Sequence, residues 1–377
     1  LAHLLGPPGR MTVRNVERQP VRTVTSVTGI AFAAAMLVVG LFFLDAIDEI
    51  LRVQFDIVER QDVTVNFVEP RSPGALYEMQ RLPGVLAMEP SRTLPVRLRK
   101  GHRSRQLAIT GLVATPKLQR VVNVSAEPVP LPPGGLVLSR VLAERLAIAP
   151  GDLVTVEVLE GRRPIHQVRV SALVDEYLGM SAYMEIGALH DLMREGDILS
   201  GGYLKVDAAE EDRLYRQLKL TPAVAGVALK RAALESFRKT MDETMGVMIF
   251  FNVLFASTIA FGVVYNAARI SFSERSRELA SLRVLGFTRA EISFILLGEL
   301  ALVTAIGIPV GLLLGYGLAW LIVAAFETEL YRFPVVVSTR TYASAVLVTL
   351  VAAAVSGLVV RRRLDHLDLV EVLKTRE

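Results

Sequence analysis

The residue types that most often catalyse reactions are scattered along this chain. His102, His166 and His190 have neither the HExxH spacing of a zinc site nor the neighbours of a catalytic triad. The chain contains no cysteine, no GxSxG motif and no GxxxxGK[ST] nucleotide-binding loop. We therefore expect that it is not an enzyme, has no catalytic residues, and holds no metal and no cofactor of its own.

The densest regular pattern of charge is instead found in Ser271–Glu299, between two uncharged segments. Acidic and basic residues alternate there at i,i+3 spacing, and leucines recur three apart, which predicts an amphipathic helix. Gly286 has the residue type of a helix C-terminal stop, and Thr288–Glu291 has the spacing of a capping box that opens the next helix. By spacing alone this segment is a solvated, salt-bridged connector.

The composition predicts that apolar and charged residues occupy different parts of the chain. The hydrophobic fraction is 52%, the mean hydropathy is +0.42, and 21% of the residues are charged. The chain contains long uncharged segments, each of which can cross a bilayer about 30 Å thick. The predicted transmembrane segments are 23–44, 244–268, 292–326 (uncharged from Leu300) and 341–360.

Basic residues predict the orientation of these spans. Arginine-rich segments precede the first span, join the second to the third, and follow the fourth as Arg361, Arg362 and Arg363. By the positive-inside rule they are cytoplasmic, as are both termini, in a multi-pass protein of the bacterial inner (plasma) membrane. The net charge of +4 is then a signal of topology and of contact with the lipid bilayer, and gives no reason to expect nucleic acid.

The charged segment also resembles a known family. Its order E-R-x-x-E-[IL]-x-x-L-R-x-[LI]-G is typical of FtsX-like permeases, the membrane subunits of ABC transporters of the MacB, LolC and LolE types. In that family the segment docks on the partner ATPase. The resemblance therefore implies ATPase-coupling roles for Glu274, Arg275, Arg277, Glu278, Leu279, Leu282, Arg283, Leu285 and Gly286.

The resemblance implies a fold and a function. The expected fold is an α-helical membrane protein with four transmembrane helices and a large extracytoplasmic α+β domain inserted between helices 1 and 2. The expected function is that of an ABC transporter permease, which couples ATP hydrolysis by a separate ATPase, with its ATP and Mg, to extracytoplasmic work such as export or lipid and lipoprotein release. Expected partners are the ATPase subunit, a second permease copy or the other half of the same permease, and a periplasmic adaptor or substrate-binding protein.

Two other functions stay open at this point. A transmembrane regulator of the FtsX kind would use the ATPase to activate a cell-wall hydrolase outside the cell and would export nothing. An orphan receptor would have no ATPase, so Arg283→Glu would leave its activity intact. The entry to the first span resembles a family pattern that suggests the C-terminal half of a longer, duplicated permease; the matching residues are Arg14, Asn15, Arg18, Pro20, Arg22 and Thr23.

The long segment 45–243 is predicted to hold a stalk and the outside domain. Polar and apolar residues at helical spacing continue the first span as a stalk. Two β-α-β patterns at the two ends of the domain predict one proximal subdomain, 56–98 plus 200–240, with a strand-rich distal insertion at 99–199. The remaining predicted segments are a linker at 1–22, the coupling segment 269–291, an outside loop at 327–340 and a tail at 361–377.

Three smaller features also carry expectations. Gly307, Gly311 and Gly315 recur every four residues and predict close helix packing, either within the chain or in a dimer. Glu299 is a carboxylate close to a span and needs a partner, for which Arg269 or a polar group of the second span is the candidate. A basic stretch is either a solvated hairpin or a contact for an acidic partner or lipid head group: Arg92, Arg97, Arg99, Lys100, Arg103 and Arg105.

Overall fold

The computed structural model describes the backbone of residues 20–177, 179–284, 289–325 and 333–365, and their side chains except at 242, 244, 271–296 and 363–365. In chain order the elements are α1 (Pro20–Leu51), a π-helical segment (Arg52–Val58), β1 (Val63–Arg71), α2 (Gly74–Gln80), β2 (Val85–Lys100), β3 (Arg103–Leu112), β4 (Leu136–Ser139), α3 (Arg140–Leu146), β5 (Leu153–Val158), β6 (Ile165–Val174), β7 (Ala182–Glu185), α4 (Ile186–Met193), β8 (Leu199–Val206), α5 (Glu211–Lys219), β9 (Val224–Leu229), α6 (Lys230–Val284), α7 (Arg289–Ala325) and α8 (Thr339–Asp365). These elements form two compact units, a helical unit and a mixed unit that contains Ile47–Asp242.

The helical unit contains the apolar segments of the sequence. Among the described residues, four helices (α1, α6, α7 and α8) are long and apolar enough to cross a membrane. Each uncharged segment lies within one of them, except that Phe326 is outside the described residues. Their buried faces carry small residues such as Ala33, Ala260 and Ala352, which pack together and allow the helices to approach closely.

Two of these helices extend well beyond the predicted spans. As the spacing after Leu44 predicts, α1 continues to Leu51 and is followed by the π-helical segment of 7 residues. The helix α6 has 55 residues, so it is about 80 Å long at 1.5 Å per residue. It begins directly after β9 and has no break at Ala268, where the sequence predicted the end of a span. Span and coupling segment are therefore one helix as far as Val284.

The mixed unit is built from a barrel and a sheet. Six strands pair in a closed ring in the order β2, β3, β7, β4, β6, β5 and back to β2. The first half of β2 continues into a four-stranded sheet in the order β2, β8, β1, β9. The two β-α-β patterns seen in the sequence therefore lie in one sheet. Alternating apolar residues fill both cores, with Leu94, Val96 and Leu98 of β2 in the barrel.

The boundary between the two parts differs from the sequence-based one. We placed it at 98/99, but β2 is continuous and changes partners earlier. Ser91 pairs with Gly201 of the sheet, and the next residue, Arg92, pairs with Gly111 of the barrel. The reason is that a strand of 16 residues is long enough to serve two sheets. The barrel thus begins at Arg92 and ends where β8 begins at Leu199.

Candidate functional site

The coupling segment lies on two helices. Glu274, Arg275, Arg277, Glu278, Leu279, Leu282 and Arg283 belong to the C-terminal end of α6, in a stretch whose side chains are not described. Leu285 and Gly286 lie outside the described residues. The second helix, α7, begins at Arg289. The contacts of these side chains with an ATPase therefore stay a prediction.

A charged cluster joins three helices near this segment. The Arg22 guanidinium of α1 lies 3.6 Å from Glu299 Oε1 of α7 and donates a hydrogen bond of 2.9 Å to the Ala267 carbonyl of α6. Both side chains are largely buried, with 18% of Arg22 and 11% of Glu299 exposed. We call Arg22, Glu299 and the Ala267 carbonyl the inner clasp. Within it, Arg22 is the ion-pair partner of Glu299.

Of the partners that we expected for Glu299, Arg269 was wrong. Arg269 is exposed on α6, whereas Arg22 lies on the buried face of α1. Arg22 precedes Ile30 by eight residues, and residues eight apart share a face of a helix. Ile30 packs in an apolar cluster with Val264 and Leu300, so that face points into the bundle. Apolar packing next to the charges keeps water away and strengthens their attraction.

The three spaced glycines of α7 pack against α1. A side-chain carbon at Gly311 would lie 2.6 Å from the Ala31 carbonyl oxygen and 2.7 Å from the Ala34 Cβ. At Gly307 the nearest atoms belong to Ile30, and at Gly315 they belong to Val38. The sequence left open whether these glycines pack within the chain or in a dimer. In the structure they pack within the chain, against α1. This contact fixes α7 along α1 beyond the inner clasp.

Gly311→Ala is expected to lower the thermal stability of the full chain in detergent. The new methyl group forces α1 and α7 apart, and overpacking of this kind costs about 1–3 kcal/mol. Gly317→Ala is the matched control, because a side-chain carbon there has nothing within 4 Å. The control should be neutral or slightly stabilising, since alanine favours helix. Equal thermal inactivation of the two variants would contradict the packing.

The basic stretch in the mixed unit is mostly neutralised by carboxylates of the same unit. Arg99 contacts Glu157 at 2.6 Å, Arg97 lies 3.5 Å from the same carboxylate, and Lys100 pairs with Asp152. Lys100 also holds the pKa of the Asp152 carboxyl below its ordinary value. This hairpin therefore offers less free positive charge to an acidic partner than the sequence suggested.

Arg92 differs from the other basic residues because it is buried. Only 1% of it is exposed, and its guanidinium contacts Glu195 and Glu160, each at 2.9 Å, and the Ser200 hydroxyl at 2.8 Å. Burial opposes the charge, but the hydrogen bonds that Arg92 donates to Glu195 and Glu160 outweigh it and raise the pKa of Arg92. We call this group the Arg92 latch. It lies where β2 passes from the sheet to the barrel.

The histidines that the structure describes show no arrangement for catalysis. His190 is buried and its Nε2 lies 2.9 Å from the Ile198 carbonyl, which is a structural contact. His166 is in β6 within the hairpin that the sequence predicted. Among the residues that the structure describes, no group of three His, Asp or Glu side chains could hold a metal ion.

Comparison with known families assigns the membrane part. Residues 250–368, which contain the end of α6 together with α7 and α8, match the model of the FtsX-like permease C-terminal family. The match confirms the resemblance to FtsX-like permeases. Such permeases belong to ABC transporters and are not themselves enzymes. Glu299 of the inner clasp and the three glycines of α7 lie within the FtsX-like part.

Two solved structures are similar to the chain at low sequence identity. The extracellular domain of the noncanonic ABC-type transporter YknZ from Gram-positive bacteria is 12% identical, with 44% of this chain and 99% of that chain covered and a TM-score of 0.30. The periplasmic region of MacB from Actinobacillus actinomycetemcomitans is 11% identical, with 50% and 95% covered and a TM-score of 0.31. No curated protein matches the chain.

Proposed function

We propose that this chain is the membrane subunit of an ABC transporter that transmits movement from a cytoplasmic ATPase to the outside domain. The observation that carries the proposal is α6, one uninterrupted helix from the end of β9 to the coupling segment. A continuous helix passes a displacement along its axis, because every backbone hydrogen bond in it resists bending or stretching. Force applied at Glu274–Arg283 would therefore reach Lys230.

The inner clasp supports the same proposal. Arg22 joins α1 to both α6 and α7, so a displacement of the coupling segment is shared with the helix that forms the first stalk. Both helices that leave the membrane part toward the outside domain would then move together. The buried faces of the bundle are lined chiefly with alanine, valine and leucine, which suits mechanical coupling better than a polar path for a solute.

The proposal includes partners and cofactors. ATP and Mg would be bound by the ATPase subunit, and a second copy of this chain, or the other half of a duplicated permease, would complete the membrane unit. The arginine clusters would face the cytoplasm of a bacterial inner membrane, with both termini inside. The work done outside would be export or the release of a lipid or lipoprotein, aided by a periplasmic adaptor or substrate-binding protein.

Co-purification from the native cell tests this function. Arg283→Glu is expected to abolish the ATP hydrolysis that co-elutes with the tagged chain, because a reversed charge in the docking segment repels the groups that Arg283 attracts. Arg340→Glu is the matched control, since Arg340 is an exposed basic residue at the predicted outside end of α8. An Arg283→Glu chain that retains the ATPase would contradict the proposal. A co-purifying peptidoglycan hydrolase would support the regulator instead.

A further inference from the structure

A cavity lies where the first stalk ends, within the mixed unit. It has a volume of about 100 Å³, several times the minimum for one water molecule. Ile50, Val53, Gln54 and Val58 form its stalk side, and Glu176 and Tyr183 are among the residues on the barrel side. We call this cavity with its lining the stalk seat. Its walls are mostly apolar on the stalk, with Gln54 as the exception, and largely polar on the barrel.

The stalk has an unusual helical form at this point. Arg52–Val58 is π-helical, and the Glu59 N–H closes it with a hydrogen bond of 2.8 Å to the Gln54 carbonyl. Such segments, with hydrogen bonds between residues five apart, are rare but frequent at functional sites. The chain beyond is fixed by backbone hydrogen bonds, from Arg60 to Leu118 and from Arg120 to Val58. The π-helical segment thus lines the cavity, and hydrogen bonds fix the chain at its C-terminal end.

Glu176 is the one carboxyl group in the lining of the stalk seat. Its Oε1 accepts a hydrogen bond of 2.8 Å from the Tyr183 hydroxyl, while its Oε2 is buried and has no hydrogen-bond partner among the described residues. Burial raises the pKa of Glu176, and the hydrogen bond from Tyr183 offsets only part of that effect. An ionised Oε2 in this position would be both desolvated and unpaired, which is costly.

The charged groups near the stalk seat form ion pairs or hydrogen bonds with partners other than Glu176. On the stalk, Arg52 pairs with Glu49 at 2.6 Å, and Glu59 accepts a hydrogen bond from Gln54. Beside Glu176, Asp175 is bonded by Arg140, and the Tyr177 hydroxyl donates to the Val124 carbonyl. In the described part of the chain no cation contacts Glu176. Protonation is therefore the way in which this structure can neutralise it.

We propose that the stalk seat is a proton-dependent joint: protonated Glu176 lets the π-helical end of the stalk seat against the barrel, and ionised Glu176 releases it. The sign follows from the raised pKa. Below the ordinary carboxyl pKa both the seated and the released states hold the proton, and seating is strongest. As the pH rises between the ordinary and the raised value, only the seated state keeps the proton, so seating weakens until the higher value is passed.

The test measures the distance between stalk and barrel in the full chain in lipid nanodiscs. Because the chain has no cysteine, Asp48→Cys and Gln106→Cys, both exposed, place one spin label on the stalk and one on the barrel. The expected result is a narrow distance distribution at pH 5 and, at pH 8, a several-fold loss of that population in favour of longer distances. Glu176→Gln, which mimics the protonated carboxyl, should keep the narrow distribution at both values.

Tyr183→Phe separates the titration of Glu176 from a general loosening of the barrel. Tyr183 lowers the pKa of Glu176 by donating to it, so its removal should move the transition to higher pH without abolishing it. An unchanged wild-type distribution between pH 5 and 8, or a Glu176→Gln chain that titrates like the wild type, would overturn the joint. The measurement needs no ATPase, so its outcome is independent of the proposed function.

Discussion

Glu299→Gln is expected to destabilise the helical unit by about 2 kcal/mol, because it removes the carboxylate charge that faces the largely buried guanidinium of Arg22. Arg22→Gln should have a similar effect. The double variant should lose less than the sum of the two, since neither charge is then left alone. Thermal inactivation of the full chain in detergent measures all three, and their non-additivity gives the coupling between Arg22 and Glu299.

Arg269→Gln is the matched control for the inner clasp. Arg269 is also a basic residue at the end of the second span, but it is exposed on α6 and the structure gives the contact with Glu299 to Arg22. Its removal should change stability by less than about 0.5 kcal/mol. If Arg269→Gln were instead coupled to Glu299→Gln and Arg22→Gln were not, the pairing inferred from the sequence would be right and that of the structure wrong.

Arg92→Met should produce the largest local effect in the mixed unit, about 3 kcal/mol. The methionine fills much of the space but cannot bind the carboxylates of Glu160 and Glu195, which are then left close together without a cation. Hydrogen exchange followed by mass spectrometry measures the consequence. Amide exchange should be about a hundredfold faster where the latch holds the β5–β6 loop and the start of β8.

Arg97→Met serves as the control for the Arg92 latch. Arg97 is on the same strand, but 43% of its side chain is exposed and its carboxylate partner lies 3.5 Å away. Pairs of this kind contribute about 0.2–1 kcal/mol, so exchange should change only slightly. Similar exchange rates in the two variants would show that Arg92 behaves as an ordinary surface arginine.

The sequence contains more information on Arg92 than we extracted from it. Arg92 is in phase with Leu94, Val96 and Leu98, which alternate along β2 and point into the barrel. A strict period of two therefore places Arg92 on the inward face, whereas Arg97 and Arg99 point outward. The prediction of one basic hairpin rests on charge alone and does not use this two-residue alternation. The identity of Glu160 and Glu195 as partners depends on pairing between distant strands and is not encoded locally.

The helices were the easier part to predict. Long uncharged segments can form little other than membrane spans, so four of them were visible at once. Whether Arg22 or Arg269 pairs with Glu299 depends on which face of α1 packs against α7. The close contact of Gly311 with Ala31 and Ala34 sets that face, and the sequence does not reveal this contact. The closure of the barrel by β3 and β7 has no local signal, because it arises from a pairing between strands far apart in the chain.

The strand shared by the two β structures has a consequence for building chimeras. A transplanted barrel would have to be joined at Ser91–Arg92, in the middle of a hydrogen-bonded strand, and again in the loop ahead of Leu199. The graft would need an arginine at the first junction and two carboxylates to receive it. In a chimera whose donor barrel lacks these three residues, no buried salt bridge would hold the barrel at the junction. The orientation of the barrel relative to the host sheet would then not be fixed.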